Sequence, residues 1–362
     1  VRRPPTYVER SRSRGLVGLA PRRPRADQAG DPGRIGTRTA GRGSLTGAVD
    51  FVAGAPVAGD LAVRWIHGSR SARHDTGPAI QAHRVDPHTF VLRQNKAVHY
   101  EAPFLYLFCG NDRALLLDTG ATAEADRFPL RATVEGILDD WLAEHPRNSY
   151  ELVVAHTHAH GDHVAADPQF ADRPATTVVG LDVDAVRSFF GFTDWPAQVV
   201  TFDLGGRVLE VTGCPGHHDT SIAVYDRWSG FLVTGDTVYP GRLYVRDFPA
   251  FTASLDRLVA LAGSRPVIRV MGCHVEMTRR PGRDFPIGAT YQPGEAALPM
   301  TTDQLVALRD AARSVADRPG VHVFDDFVIF HGRCRSALPR YLARALWGRL
   351  RNRVTATLHR SR

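Results

Sequence analysis

Of the 45 Lys and Arg residues in this 362-residue chain, only one is a lysine, Lys96. Such a lopsided choice reflects genomic base composition more than selection for phosphate binding, so the basic total is weak ground for a nucleic-acid partner. No run of 18 apolar residues occurs, which excludes an apolar membrane-spanning helix. The first residues also lack the 7–15-residue apolar segment of a secretory signal, Gly15–Pro21 being too short. A soluble, cytoplasmic protein is expected. A Val at position 1 followed by an Arg-rich stretch is compatible with a natural start further along the chain. The four cysteines, Cys109, Cys214, Cys273 and Cys334, have no Cys-x-x-Cys spacing. Neither a zinc knuckle nor a disulfide framework is indicated, and reduced thiols are expected.

Acidic residues are scarce at both ends. Residues 1–48 carry eleven Arg against Glu9, Asp27 and Asp31, and residues 338–362 carry seven Arg and no acid. Removing these +8 and +7 contributions from the total of +7 leaves −8 for the stretch between them. The electrostatic footprint of a nucleic-acid enzyme is therefore missing from the body of the chain, where a site would lie. Residues 1–48, rich in Arg, Gly and Pro and without periodicity, read as a disordered arm. Residues 49–84 form a lead-in of undetermined structure, residues 85–332 the catalytic domain, and residues 333–362 a basic helix or tail. In that tail Tyr341, Leu342, Ala345, Leu346 and Leu350 alternate with arginines. The pattern is compatible with an anionic membrane surface, but a peripheral helix or frayed tail is the expectation.

What is present is concentrated chemistry. Thr157-His158-Ala159-His160-Gly161-Asp162-His163 follows the apolar segment Leu152-Val153-Val154-Ala155. In an extended loop, side chains two residues apart point the same way, so His158 and His160 can close on one cation while Asp162 and His163 face a neighbour. Imidazole and carboxylate are zinc ligands. Independent draws from this composition would produce the His-x-His-x-Asp-His pattern with a probability of roughly 0.002. Three further segments carry candidate ligands: Cys214-Pro215-Gly216-His217 offers His217 on a Gly/Pro turn, and Leu232-Val233-Thr234-Gly235-Asp236 and Val270-Met271-Gly272-Cys273-His274 end strand-like runs on Asp236 and His274. An earlier run, Leu115-Leu116-Leu117, ends on Asp118.

Strand-like runs occur at 104–108, 114–118, 151–155, 176–179, 199–202, 208–211, 222–225, 231–234 and 267–271. Helical periodicity marks about 127–144, 182–190, 252–263 and 302–316. These patterns give a mixed α/β body and show no internal repeat.

In the order and content of its motifs, the stretch from about residue 85 to 332 resembles the metallo-β-lactamase-fold superfamily of metallohydrolases, in its glyoxalase II/lactonase-like branch. The resemblance implies an αββα sandwich of two mixed β-sheets flanked by helices. It also implies two Zn2+, with His158, His160 and His217 on one, Asp162, His163 and His274 on the other, and Asp236 bridging them. A carboxylate at 236 departs from β-lactamases that place Cys there, and His160 departs from flavodiiron-type members, which have Glu. The implied function is a dinuclear zinc hydrolase that cleaves a small-molecule ester, thioester or lactone with a metal-bridging hydroxide. Asp162 and Asp236 would be catalytic, and Tyr239, at the offset of a lactonase tyrosine, would polarise the carbonyl. Asp118 would orient a ligand imidazole from behind. The alternative is a single Fe2+ on the same residues oxidising a persulfide. A tRNA-processing nuclease and a metal binder without catalysis are less favoured. His156 and His218 fall outside the pattern and are expected not to be ligands. Cys214 and Cys273 adjoin it but should point away. Residues 289–295 are a connection or part of the substrate mouth.

Overall fold

The computed structural model describes residues 47–332; the Arg-rich arm up to residue 46 and the basic segment from residue 333 lie outside the described residues. Three sheets form. The first has strands in the order β1 (Ile80–Asp86), β2 (Thr89–Gln94), β3 (Phe104–Cys109), β4 (Arg113–Leu117), β5 (Glu151–Ala155) and β6 (Thr176–Val178), antiparallel up to β4 and parallel from β4 to β6. The second comprises β7 (Val199–Asp203), β8 (Val208–Gly213), β9 (Ile222–Asp226), β10 (Phe231–Gly235), β12 (Arg269–Gly272) and the two-residue β13 (Pro299–Met300), with β10 and β12 parallel. A small third sheet joins β11 (Arg242–Val245), β15 (Val328–His331) and β14 (Gly320–Val323).

Strand parity builds the layers. Successive side chains of a strand face opposite sides, and in β4 Leu115 and Leu117 enter the core between the sheets while Leu116 enters the outer one. The inner core joins Val91, Phe104, Tyr106 and Phe108 to Val211, Val224, Val233 and Met271. On the outer face of the first sheet, Leu105, Leu107, Leu116 and Val154 meet Leu130, Val134, Leu138 and Trp141 of helix α1 (Leu130–Glu144). Two short helices follow, α2 (Gly161–Val164) and α3 (Val183–Phe190). On the outer face of the second sheet, Ala223, Tyr225, Leu232 and Val270 meet Phe251, Leu255 and Leu258 of α4 (Phe248–Ser264) and Leu305 and Leu308 of α5 (Thr302–Ser314). This is the αββα sandwich.

All nine expected strands and all four longer helices form, with ends shifted by a few residues. The lead-in differs from expectation. β1 begins at Ile80, so the boundary placed at residue 85 falls inside a strand. Phe51 is buried edge-on to His88 and Trp228, and Trp65 packs edge-on to Phe104 at 5.0 Å. β2 was illegible because all six of its residues are buried, Arg93 and Gln94 included, so no polar alternation marks it. Among the described residues no helix is long and apolar enough to cross a membrane.

Candidate metal centre

Each candidate ligand leaves the end of a strand. β4 and β5 run parallel and end in register at Leu117 and Ala155, and β10 and β12 do so at Gly235 and Gly272. The loops that follow therefore meet along one edge of the sandwich. Gly235 has φ +53°, and a Cβ there would lie 2.7 Å from Cβ of Thr157. Only glycine lets the Asp236 loop close against the histidine loop. Gly216 serves the His217 turn in the same way, with φ +136° and no room for a Cβ beside the backbone of Phe251.

The side chains converge as two groups, His158 with His160 and His217, and Asp162 with His163, Asp236 and His274. In the first, Nδ1 of His160 lies 2.9 Å from Nε2 of His158 and 2.9 Å from Nε2 of His217. In the second, Nε2 of His163 is 3.4 Å from Nε2 of His274 and 3.4 Å from Oδ2 of Asp162, and Nε2 of His274 is 3.4 Å from Oδ1 of Asp236. Asp236 faces both groups, with Oδ2 3.8 Å from Nε2 of His217 and Oδ1 3.7 Å from Nε2 of His163.

Hydrogen bonds behind the ligands set which nitrogen is free. Nδ1 of His217 donates to the carbonyl of Tyr244 at 2.7 Å, and Nδ1 of His274 to that of Glu101 at 3.2 Å. Nδ1 of His163 donates to Oδ2 of Asp118 at 2.8 Å. The Thr157 hydroxyl gives its proton to the same oxygen at 2.8 Å and accepts from Nδ1 of His158 at 3.2 Å. Four imidazoles thus turn Nε2 inward, as metal-bound histidines do. Asp118 accepts hydrogen bonds from His163 and Thr157. It adopts φ +72°, and its Oδ1 accepts the Thr157 N–H at 2.6 Å.

The donor set fits cations. Oδ1 of Asp236 is buried and has no hydrogen-bond partner. It faces His163 and His274, and against the opposing effect of burial the surrounding carboxylates raise His163 well above its ordinary value and His274 above its own. An unpaired buried carboxylate oxygen is costly, and a cation relieves that cost. Burial alone would raise the carboxyls of Asp236 and Asp162, yet the imidazoles of His163 and His274 overcome it and hold both below the ordinary carboxylate range. Burial, reinforced by the neighbouring rings of His163, His217 and His160, keeps His158 well below its ordinary value and therefore neutral.

Tyr239 is a correction. Its hydroxyl donates to the carbonyl of Arg242 and is fully buried, leaving no proton for a substrate carbonyl. The reason is the turn Pro240-Gly241, which folds the ring back over Gly241, where a Cβ would collide with it. Only the ring approaches the ligands, 5.7 Å from that of His274. His156 and His218 stay off the ligand set, His156 bonding Asp167 at 2.8 Å and His218 bonding Thr220 at 2.9 Å. Sequence reasoning missed Thr157 and the role of Cys273, whose Sγ donates to Asp118 at 3.2 Å. Asp118, His163 and Cys273 also converge, but hydrogen bonds account for those contacts. Residues 289–295 form a tie: Glu295 holds Arg93 through two bonds of 2.6 Å, and Tyr291 pairs with Gly68.

Residues 102–274, which include every candidate ligand, match the family model described as the metallo-beta-lactamase superfamily. A hydroxyacylglutathione hydrolase from Methylococcus capsulatus is 29% identical over 53% of this chain and 70% of its own length. A second, from Synechococcus sp., is 36% identical over 30% of this chain and 44% of its own. The human acyl-coenzyme A thioesterase MBLAC2 is 26% identical over 47% of this chain and 72% of its own. With its motifs, layers and ligand geometry in agreement with these matches, residues 102–274 form a domain similar to the metallo-beta-lactamase superfamily, and the likeness to its glyoxalase II-like branch supports a metal-dependent hydrolase.

Proposed function

We propose that the chain is a dinuclear zinc hydrolase of small-molecule thioesters, esters or lactones. His158, His160 and His217 would hold one cation, Asp162, His163 and His274 the other, and Asp236 would be shared. The observation that carries this reading is Asp236, whose two carboxylate oxygens face different triads while Oδ1 lacks any hydrogen-bond partner. Relatives named for hydroxyacylglutathione hydrolysis and for acyl-coenzyme A thioester hydrolysis favour a thioester.

Bound zinc supplies a water that ionises near neutral pH and a Lewis acid for the carbonyl. The protein's own work is to keep His158, His160 and His217 neutral by burial, to aim the ring nitrogens inward, and to keep Asp162 and Asp236 ionised as proton acceptors. Asp162, with 17% of its side chain exposed against 9% for Asp236, is the carboxylate from which a proton reaches solvent. With Tyr239 committed to Arg242, no protein hydroxyl is assigned to the developing oxyanion.

The test is elemental analysis of protein purified without added metal, alongside assays on an S-acylglutathione, an acyl-coenzyme A, a lactone and a persulfide. Two zinc per chain and thioester hydrolysis that is abolished by a chelator and restored by zinc are expected. One iron per chain with oxygen consumption on the persulfide would overturn the reading.

A further inference from the structure

Lys96, the only lysine of the chain, is 3% exposed at the start of the loop between β2 and β3, residues 95–103. Its ammonium donates to the carbonyl of Tyr100 at 2.9 Å. The next carbonyl along the chain, that of Glu101, accepts from Nδ1 of His274 at 3.2 Å. We propose that Lys96 is a positioning residue for the candidate ligand His274: by fixing the Tyr100 carbonyl it sets where the Glu101 carbonyl stands, and with it the aim of the ring. The proposal rests on the dinuclear reading only for what His274 would bind. The link from ammonium to ring lies in the fold itself.

Three observations support it. First, the ammonium is costly and has no ion pair to offset it. Arg93 holds Glu295, Arg242 holds Glu276 and Asp284, and Lys96 forms no ion pair among the described residues. Burial, then the positive charge of Arg93, brings its amine from 10.5 down to about 7, with Glu295 and Glu276 opposing and Arg242 adding to the fall. An apolar side chain of the same length would fill the space without that cost, so it is the donor and not the stem that the loop uses. Second, the loop needs holding where it carries the carbonyl. Ala102, between Glu101 and Pro103, adopts φ +46°, a left-handed conformation that persists in a residue with a Cβ only where its surroundings enforce it. Lys96 supplies one restraint from within the loop, and the Asn95 carbonyl, accepting from the N–H groups of Val98 and His99 at 2.9 and 3.1 Å, supplies another. Third, room is made for the stem. Gly68 has φ +73°, and a Cβ there would lie 3.0 Å from Cβ of Lys96 and against the carbonyl of Thr290.

Imidazole NMR and zinc titration of the full chain test this with Lys96→Met, which keeps the stem and loses the donor. In the metal-free parent the Nδ1 proton of His274 is identified as the signal missing from His274→Ala. In Lys96→Met it should be lost to exchange with water. In competition with a chromophoric chelator, one of the two zinc equivalents should bind about tenfold more weakly, the lower end of what removing a supporting partner costs, and the other should be unchanged. The metal-free variant should melt at or above the parental temperature, since a buried charge has gone. A His274 proton that stays protected, or a lowered melting temperature with both zinc affinities reduced together, would overturn the proposal. A second measurement needs no variant at Lys96: with one lysine in the chain, a label at its Cε gives a single resonance, which zinc should move in the parent and leave in place in His274→Ala. A resonance unmoved in a parent that binds two zinc ions would also overturn the proposal. Fewer than two zinc ions in the parent, with the His274 proton still lost in Lys96→Met, would sink the dinuclear reading and leave the positioning role standing.

Discussion

Oδ2 of Asp118 receives a proton from Nδ1 of His163 at 2.8 Å, in a site where both side chains are fully buried. The same oxygen takes the Thr157 hydroxyl and the Cys273 thiol. One carboxylate, locked in a left-handed backbone conformation, therefore decides which nitrogen of His163 faces Asp162, Asp236 and His274. Asp118→Asn keeps the shape but loses the charge and an acceptor. Metal affinity at that site should fall about 10- to 100-fold, the usual cost of removing such a partner. Metal titration of the variant checks this, and an unchanged affinity would reduce Asp118 to a turn residue.

Asp236→Ala, His158→Ala and His217→Ala should each remove turnover while leaving melting of the zinc-free protein nearly unchanged, because these side chains decorate strand ends rather than fill the cores. Loss of a ligand typically costs orders of magnitude in rate. More than about a tenth of the parental rate in Asp236→Ala would rule out the shared carboxylate.

Tyr239→Phe should retain the parental turnover rate within about threefold, because the phenol is spent on the Arg242 carbonyl. Stability should fall by about 1 kcal/mol, the net worth of one buried hydrogen bond. A loss of turnover by 10-fold or more with stability intact would return the hydroxyl to catalysis.

His88 sets an acid limit on stability. Its Nδ1 accepts the indole N–H of Trp141 at 3.0 Å, so the buried ring must be neutral. Burial, helped by Arg207 and opposed by Asp86, lowers it from 6.5 to about 4. The unfolded chain takes up this proton near pH 6.5 and the folded chain only near pH 4. Stability from this group is therefore whole above pH 6.5, declines between 6.5 and 4, and is flat below, a total loss of about 3 kcal/mol. Urea midpoints against pH, for His88→Gln and the parent at matched metal content, should show a shallower acid slope in the variant. Parallel slopes would contradict this.

The metal centre was legible because its information is local. Six residues, His158 to His163, carry four candidate ligands, and Asp236 and His274 end apolar runs whose strand character the composition betrays, while His217 sits on a Pro-Gly turn. Parity did the same for the layers: Leu115-Leu116-Leu117 must divide between two cores, whatever those cores contain. Tertiary structure decided what depends on partners far along the chain. Cys273 meets Asp118 across 155 residues, and Arg93 meets Glu295 across 202. β2 hid a buried guanidinium held by Glu295 and the Phe104 ring, and residues 49–79 pack through Phe51 and Trp65 on rings that no local pattern announces. Tyr239 shows the limit most clearly. Its offset from Asp236 is a property of the sequence, but where its hydroxyl points was fixed by the turn at Pro240-Gly241 and by the Arg242 carbonyl waiting beyond it.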